Sequence, residues 1–372
     1  MERKEHYKIF VINPGSTSTK VTLHDNEECI LSTDVFHDSS KLLEFPTIND
    51  QLSYRMEVLF DFIAQNHIDL SDLDAIVGRG GSSYSVESGT YEISYQLIQD
   101  TKEAKGGLYH ASMLGVQMAK EMQKKYGGRI FMVDPTVVDE FQDIARITGV
   151  KGVYRKAICH ALNLKSVAKK YAEEVGKPYE SLNLICCHID GGISITAHHH
   201  GRMIDGNDAG GGEGPFTPTR MGTMAVTDVL HNLKHRSDEE VRDLCSQAGG
   251  FSSHFGTSNS NVIHKMVEEN DPKATLIWEA MKYQIAKWIG EMSTVLKGEV
   301  DAIVLTGGLL RFPDIEETLQ ERCGWIAPIR SYPGEFEHET MALRALKVLR
   351  GEEELKQYTG KPVFDPKSLF GE

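Results

Sequence analysis

The chain has 372 residues, 40% apolar and 25% charged, an ordinary composition for a globular protein but too long for one ordinary core. Its formal net charge of −14 argues against nucleic acid and anionic membrane as partners, because both recruit clustered positive charge. No apolar stretch approaches the length of a membrane span, and the six cysteines show neither a CxxC pair nor metal-ligand spacing.

The opening, MERKEHYKIFVIN, reads straight into a strand with no apolar signal region, so a reduced, cytoplasmic setting is expected. That strand begins a strand–turn–strand, KIFVINPGSTSTKVTL, at Lys8. Within its turn Gly15 permits a sharp bend and close approach of a ligand. Backbone N–H groups and the hydroxyls of Ser16, Thr17 and Ser18 can donate to phosphate oxygens, and Lys20 adds a point charge. A hairpin with a merely polar tip reads equally well, and no GxxxxGK[ST] loop occurs. Next, Tyr54, Val58, Leu59, Phe62 and Ile63 recur at helical spacing before the strand Asp-Ala-Ile-Val, which starts at Asp74 and runs through Arg79 to Gly80 and Gly81. Leu114, Met118 and Met122 predict a helix ended by Gly127 and Gly128, followed by the strand RIFMVD and the step Asp134-Pro135. Ala161, Leu164, Val167, Ala168 and Tyr171 mark a helix closed by Gly176 and Pro178.

A second strand–turn–strand, LNLICCHIDGGISITAHH, begins at Leu182. Its turn, His188-Ile189-Asp190-Gly191-Gly192, joins glycines to an acidic side chain that could orient magnesium through water; an Asp-Gly β-turn reads equally well. Cys186 and Cys187 read as small hydrophobes inside an apolar strand, and His198-His199-His200 as a surface feature at the hairpin end. Ile285, Ile289, Met292 and Leu296 mark the helix before a second Asp-Ala-Ile-Val, which starts at Asp301. It ends in Gly307 and Gly308, a turn that can let adenine or ribose lie on the backbone. A last helix, Met341 to Leu349, precedes a polar tail.

The order hairpin, helix, DAIVxxGG therefore occurs twice, at unequal spacing. Alternating strands and helices predict an α/β protein of two related halves that serve one nucleotide, and phosphoryl transfer as the chemistry. The expected division is 1–178 and 179–338, with the last helix in 339–372 returning to the first lobe.

Several of these runs resemble the acetate kinase family, within the superfold of actin, sugar kinases and heat-shock chaperones. They are VINPGSTSTK, HIDGGISITAHHHGRMIDGNDAGGGEGPFTP, DAIVLTGG and PGEFEHETMALRALKVLRG, and the resemblance extends over essentially the whole chain. The stretch from Asp205 to Pro218 favours the butyrate kinase branch over the acetate branch. The resemblance implies two duplicated ribonuclease H-like lobes with a cleft between them, ATP with Mg2+, a small aliphatic carboxylate as acceptor and a homodimer. It places Asn13, Ser16, Ser18 and Lys20 on the first phosphate hairpin, and His188, Asp190, Gly191, Gly192, Gly307 and Gly308 on the second hairpin and nucleotide site. Arg79 falls on the arginine that meets carboxylate and transferring phosphoryl group, His110 and His160 on two site histidines, and Asp134 on an aspartate that helps hold metal or acceptor. Glu337 falls on the carboxylate near magnesium, with Glu335 and Glu339 close enough to shift the register. Two places depart from the acetate kinase pattern: Gly191 stands where an asparagine is found there, and Arg220, in TPTRMG, is the nearest candidate for a second arginine.

This chemistry suits these residue types. A carboxylate is already a nucleophile at neutral pH, so no strong base is needed. The task is to bring two anions together and stabilise charge on the equatorial oxygens, and an arginine fork can do both. Each residue also has a plainer reading: Arg79 as a surface arginine, His110 as a helix-start histidine, His160 as a packed one, Asp134 as a strand end. Kinases of propionate, isobutyrate or acetate differ from a butyrate kinase only in pocket volume. A sugar or polyol kinase would need an aspartate base, and a nucleotide-switched module would need a further binding domain.

Overall fold

The computed structural model describes residues 4–107 and 109–367. The chain forms two compact units: one runs up to Asp139 and resumes at Phe336, and the other is Glu140–Glu335.

The first unit is built on β1 (Lys8–Pro14), β2 (Ser18–Asp25), β3 (Glu28–Phe36), β4 (Ala75–Gly78), β5 (Thr90–Glu92) and β6 (Arg129–Val133). With the short strand Leu355–Lys356 they make one seven-stranded sheet, in the order Leu355–Lys356, β5, β6, β4, β1, β2, β3. The second unit carries β7 (Asn183–Ile189), β8 (Ile193–His199), β9 (Arg202–Gly206), β10 (Ala302–Gly307) and β11 (Ile329–Pro333), ordered β11, β10, β7, β8, β9. The run β6-β4-β1-β2-β3 has the same connectivity as β11-β10-β7-β8-β9. Each Asp-Ala-Ile-Val segment lies parallel to the first strand of its own hairpin, with Ile12 opposite Gly78 in one unit and His188 opposite Thr306 in the other. The sequence echo is thus a repeat of topology.

Parallel central strands are covered on both faces, which is why β4 and β10 read as unbroken apolar runs and are buried throughout. Phe10, Ile12, Leu59, Ile76 and Met118 fill the first core, and Ile185, Ile195, Trp278, Ile289 and Leu305 the second. The helix Ala161–Glu174 lays Leu164, Val167 and Ala168 on β7 and β10. The expected boundary after residue 178 accordingly falls inside the second unit, after a helix whose apolar face belongs to that unit's sheet. From Phe336 the chain packs with the first unit, where the helix Glu337–Arg350 lies against β1, β4 and β6. The cysteines form no disulfide, and burial pushes the Cys186 and Cys187 thiols far up, which leaves them inert. His198 departs from the surface reading: it is fully buried, bonded to Tyr179 Oη (2.7 Å) and Thr196 Oγ1 (2.8 Å), while His199 and His200 are exposed. The pleat explains it, since His198 points from β8 into the core and His199 away from it.

One close approach places the first unit's key loop. The helix Gly115–Tyr126 starts directly against the end of β4, so a Cβ on Gly115 would lie 2.2 Å from the carbonyl oxygen of Arg79, and one on Gly78 would lie 2.3 Å from that of Gly115. Backbone meets backbone here and cannot yield as a side chain would. Gly115→Ala is therefore expected to cost about 1–3 kcal/mol, the range of overpacking in a rigid core. Urea unfolding would show it as a lower midpoint with unchanged slope.

Candidate active site

In the first unit, the Arg79 backbone N–H donates to the carbonyl of Ile12 (2.9 Å), so β1 holds the turn that follows β4. Arg79 is only 3% exposed. Its Nη1 donates to the carbonyl oxygen of Asp134 (3.0 Å) and its Nη2 to Glu337 Oε1 (3.1 Å). Glu337 Oε2 accepts from Asn13 Nδ2 (3.2 Å), so Asn13, Glu337, Arg79 and Asp134 form one connected set. Of the three clustered glutamates, Glu337 is the one buried beside Arg79; Glu339 is exposed, and Glu335 belongs to the other unit. Each Glu337 oxygen takes one of these N–H donors at ordinary length, within the lone-pair capacity of a carboxylate that also binds a hydrated Mg2+, so Glu337 fits that role.

Asp134, expected to help hold metal or acceptor, has its carboxylate and its carbonyl engaged by protein donors. Its backbone has φ +33°, an uncommon conformation for a non-glycine residue, and this points its carbonyl at Arg79. Its Oδ1 accepts from Ser88 Oγ (2.7 Å) and Gly89 N (2.8 Å), while Oδ2 accepts from Arg344 Nη1. Arg344 in turn donates to Glu353 from Nη2 (2.6 Å) and Nε (3.0 Å). Burial alone would lower the Arg344 pKa, but Asp134 and Glu353 hold it above the ordinary arginine value. With three donors on its carboxylate, Asp134 is a bracket for Arg79.

The first hairpin turn is closed by Gly15 N–H donating to Ser18 O (2.7 Å). Ser16 and Thr17 are exposed, Ser18 and Lys20 half-buried, and Lys20 lies opposite Asn13 in the ladder. His110 is exposed and caps the turn Ala111–Leu114, its Nδ1 accepting from Ser112 N (3.2 Å). The segment it opens runs beside the Arg79 loop through the Gly115 contact.

In the second unit, Asp190 ties the two glycine turns together. Its Oδ1 accepts from Gly191 N (2.7 Å) and its Oδ2 from Gly308 N (2.6 Å), the latter just after Gly307 (φ +111°) ends β10. The Gly191 carbonyl accepts from the hydroxyls of both Thr217 (2.6 Å) and Thr219 (2.8 Å). Arg220 covers the same turn: a Cβ on the buried Gly192 would lie 2.4–2.7 Å from the Arg220 guanidinium atoms. Arg220 Nη1 donates to Ala209 O (2.6 Å), and its buried Nε–H has no hydrogen-bond partner among the described residues. Desolvation lowers the Arg220 pKa, with Asp208 opposing. His160 and His188 stack at 4.1 Å. His160 Nδ1 meets Ser194 Oγ at 2.8 Å. Asn163 Nδ2 reaches both His188 Nδ1 (2.8 Å) and Thr306 Oγ1 (3.2 Å), and the Thr306 hydroxyl donates to Gly334 O (3.0 Å). Ligand atoms of His188, Asp190 and Glu335 lie within 4.8 Å of one another, with Glu335 exposed.

Sequence reasoning missed Arg55, Arg344, Asn163 and Ser194. Arg55 left a signal, because it shares the buried stripe of its helix with Leu59 and Ile63 at intervals of four, and so did Arg344, between Met341 and Val348 on its own helix.

Residues 145–311 match the model of the Acetokinase family. Among solved structures, the Porphyromonas gingivalis acetate kinase is similar at TM-score 0.72 and 18% identity, covering 92% of this chain and 100% of that one. A propionate kinase from Francisella tularensis gives 0.70 and 17%, with 91% and 98% covered. The Entamoeba histolytica acetate kinase gives 0.71 and 16%, with 92% and 99% covered. At these identities the likeness shows the fold, which is the actin-like ATPase fold that the resemblance implied.

The packing of Arg220 on Gly192 is open to test. An alanine methyl there displaces the end of a flexible side chain, so Gly192→Ala should change stability by less than about 1 kcal/mol. Turnover should nevertheless fall roughly ten-fold or more if Arg220 works from this position. The Gly192→Ala and Arg220→Ala defects should also fail to add when combined.

Proposed function

We propose that this chain is an ATP-dependent carboxylate kinase that converts butyrate reversibly to butyryl phosphate. The observation that carries the reading is Arg79: a buried guanidinium fixed by Glu337 and the Asp134 carbonyl, on the loop beside a polar hairpin. The Acetokinase match over 145–311 supports the reaction class. Butyrate is favoured by the run from His188 to Pro218, which resembles that branch.

In this reading a carboxylate oxygen attacks the γ-phosphorus in line, the bond to the β–γ bridging oxygen breaks, and ADP leaves. The acceptor is already ionised, so no proton need be removed from it. Arg79 orients the acceptor and meets charge on the equatorial oxygens, and Lys20 with the Ser16 and Ser18 hydroxyls holds phosphate. His188, Arg220 and the turns at Gly191 and Gly307 hold the nucleotide. Glu337 would hold Mg2+, whose chemistry is to neutralise the β- and γ-phosphate charge. No described helix is long and apolar enough to cross a membrane. A cytoplasmic homodimer completes the proposal. A sugar kinase would need Asp134 as base, yet Ser88, Gly89 and Arg344 engage its carboxylate.

Purified protein with ATP, Mg2+ and hydroxylamine should give a hydroxamate from butyrate in preference to acetate. Silence with every carboxylate of two to six carbons would sink the reaction class, whereas a preference for acetate would sink only the branch.

Arg79→Ala should lower turnover by roughly 10²–10³, the scale of losing one preorganised donor. Arg79→Lys should recover little, because a lysine cannot reach both Asp134 O and Glu337 while meeting substrate. Retention of more than about a third of wild-type turnover by Arg79→Ala would remove it from the mechanism.

A further inference from the structure

Beneath the first hairpin turn lies a buried cation that the proposed mechanism does not use. Arg55 is 1% exposed, on the helix Leu52–Gln65. Its Nη1 donates to the carbonyl of Gly15 (2.9 Å), its Nη2 to that of Ser16 (2.8 Å) and its Nε to Gln51 Oε1 (3.1 Å). The carbonyl of Thr17 is taken by the backbone N–H of His37 (2.9 Å). Three consecutive carbonyls of the turn are thus held by protein donors, while among the described residues the N–H groups of Ser16 and Thr17 donate to no protein group.

All three Arg55 partners are neutral, and among the described residues no acidic side chain pairs with it. Buried arginines are ordinarily paired with a carboxylate, since an uncompensated buried charge is costly. Arg79 and Arg344 in the same unit follow that rule. Desolvation lowers the Arg55 pKa only to about 10, so the charge persists at neutral pH.

We propose that Arg55 is the fixed counter-charge of the first hairpin: it pins the turn's carbonyls, and its uncompensated charge is matched by the polyphosphate that the Ser16 and Thr17 N–H groups receive. Arg55 acts through the turn and is a positioning residue. The ligand class rests on the reading of this hairpin as a phosphate site.

Two substitutions separate charge from clamp. Arg55→Gln keeps an amide donor for the carbonyls and removes the charge; Arg55→Lys keeps the charge and loses the fork. The probe is inorganic triphosphate without metal, titrated by calorimetry into full-length protein whose fold is verified by thermal unfolding. Arg55→Gln should bind it roughly ten- to a hundred-fold more weakly than wild type, and Arg55→Lys within about five-fold, the scale of one charge-assisted interaction. Unchanged binding by Arg55→Gln, or an equal loss in both variants, would overturn the proposal. If Arg55→Gln fails to fold, the wild type still decides: amide exchange at residues 15–18 must slow with triphosphate, and no slowing refutes it. Because no carboxylate is involved, charge-dependent triphosphate binding without hydroxamate formation would sink the kinase reading alone. Hydroxamate formation with charge-independent binding would sink this inference alone.

Discussion

In each unit one parallel strand pair determines where the polar turns lie. β1 beside β4 and β7 beside β10 bring the tip of a hairpin and the glycine turn after Asp-Ala-Ile-Val to the same end of the sheet. The alignment is then locked by a bond across the pair: Arg79 N–H to Ile12 O in one unit, Gly308 N–H to the Asp190 carboxylate in the other. A slip of one residue would exchange the side chains that β4 and β10 present to the packing on their two covered faces, and the core itself therefore helps to enforce register. Apolar packing thus does the positioning, and the polar turns carry little of it.

What could be read without coordinates follows from the same constraint. Hairpins, helices and the repeated Asp-Ala-Ile-Val strands leave periodic signals, because each has one face or both in a core. Arg79 and Glu337 could be named through resemblance, but not their contact, because 258 residues separate them. Asp134 shows the limit well. The resemblance offered it as a holder of metal or acceptor and its place before a proline as a strand end, but neither could show that its carbonyl meets Arg79 or that its carboxylate meets Arg344, which lies 210 residues on. The unit boundary was misplaced for a related reason: Ala161–Glu174 lies before the second hairpin in sequence, while its apolar face fits the second sheet.

The two hairpin turns share a backbone solution and differ in charge. In both, carbonyls are drawn into the protein by donors from elsewhere in the same unit. Neutral hydroxyls of Thr217 and Thr219 do this for Gly191, while the Arg55 guanidinium does it for Gly15 and Ser16. At the first turn this leaves the Ser16 and Thr17 N–H groups with no protein acceptor among the described residues, whereas at the second the Gly191 and Gly308 N–H groups donate to Asp190. The second turn takes its positive charge from Arg220 on its surface, the first from Arg55 beneath it.

Three buried arginines of the first unit show how environment divides one residue type among roles. Arg344, between Asp134 and Glu353, is over-paired; its two carboxylates exceed its charge, and it serves to hold Asp134 in place. Arg79, with one carboxylate and one carbonyl, is balanced within the protein and its geometry is fixed before any ligand arrives. Arg55, with only neutral acceptors among the described residues, contributes a net positive field at the turn above it. A field of this kind needs no reorganisation when an anion binds, because the helix and two carbonyls have already set it. That is the form of electrostatic assistance most useful to a reaction between two anions, where attraction must be in place before they meet.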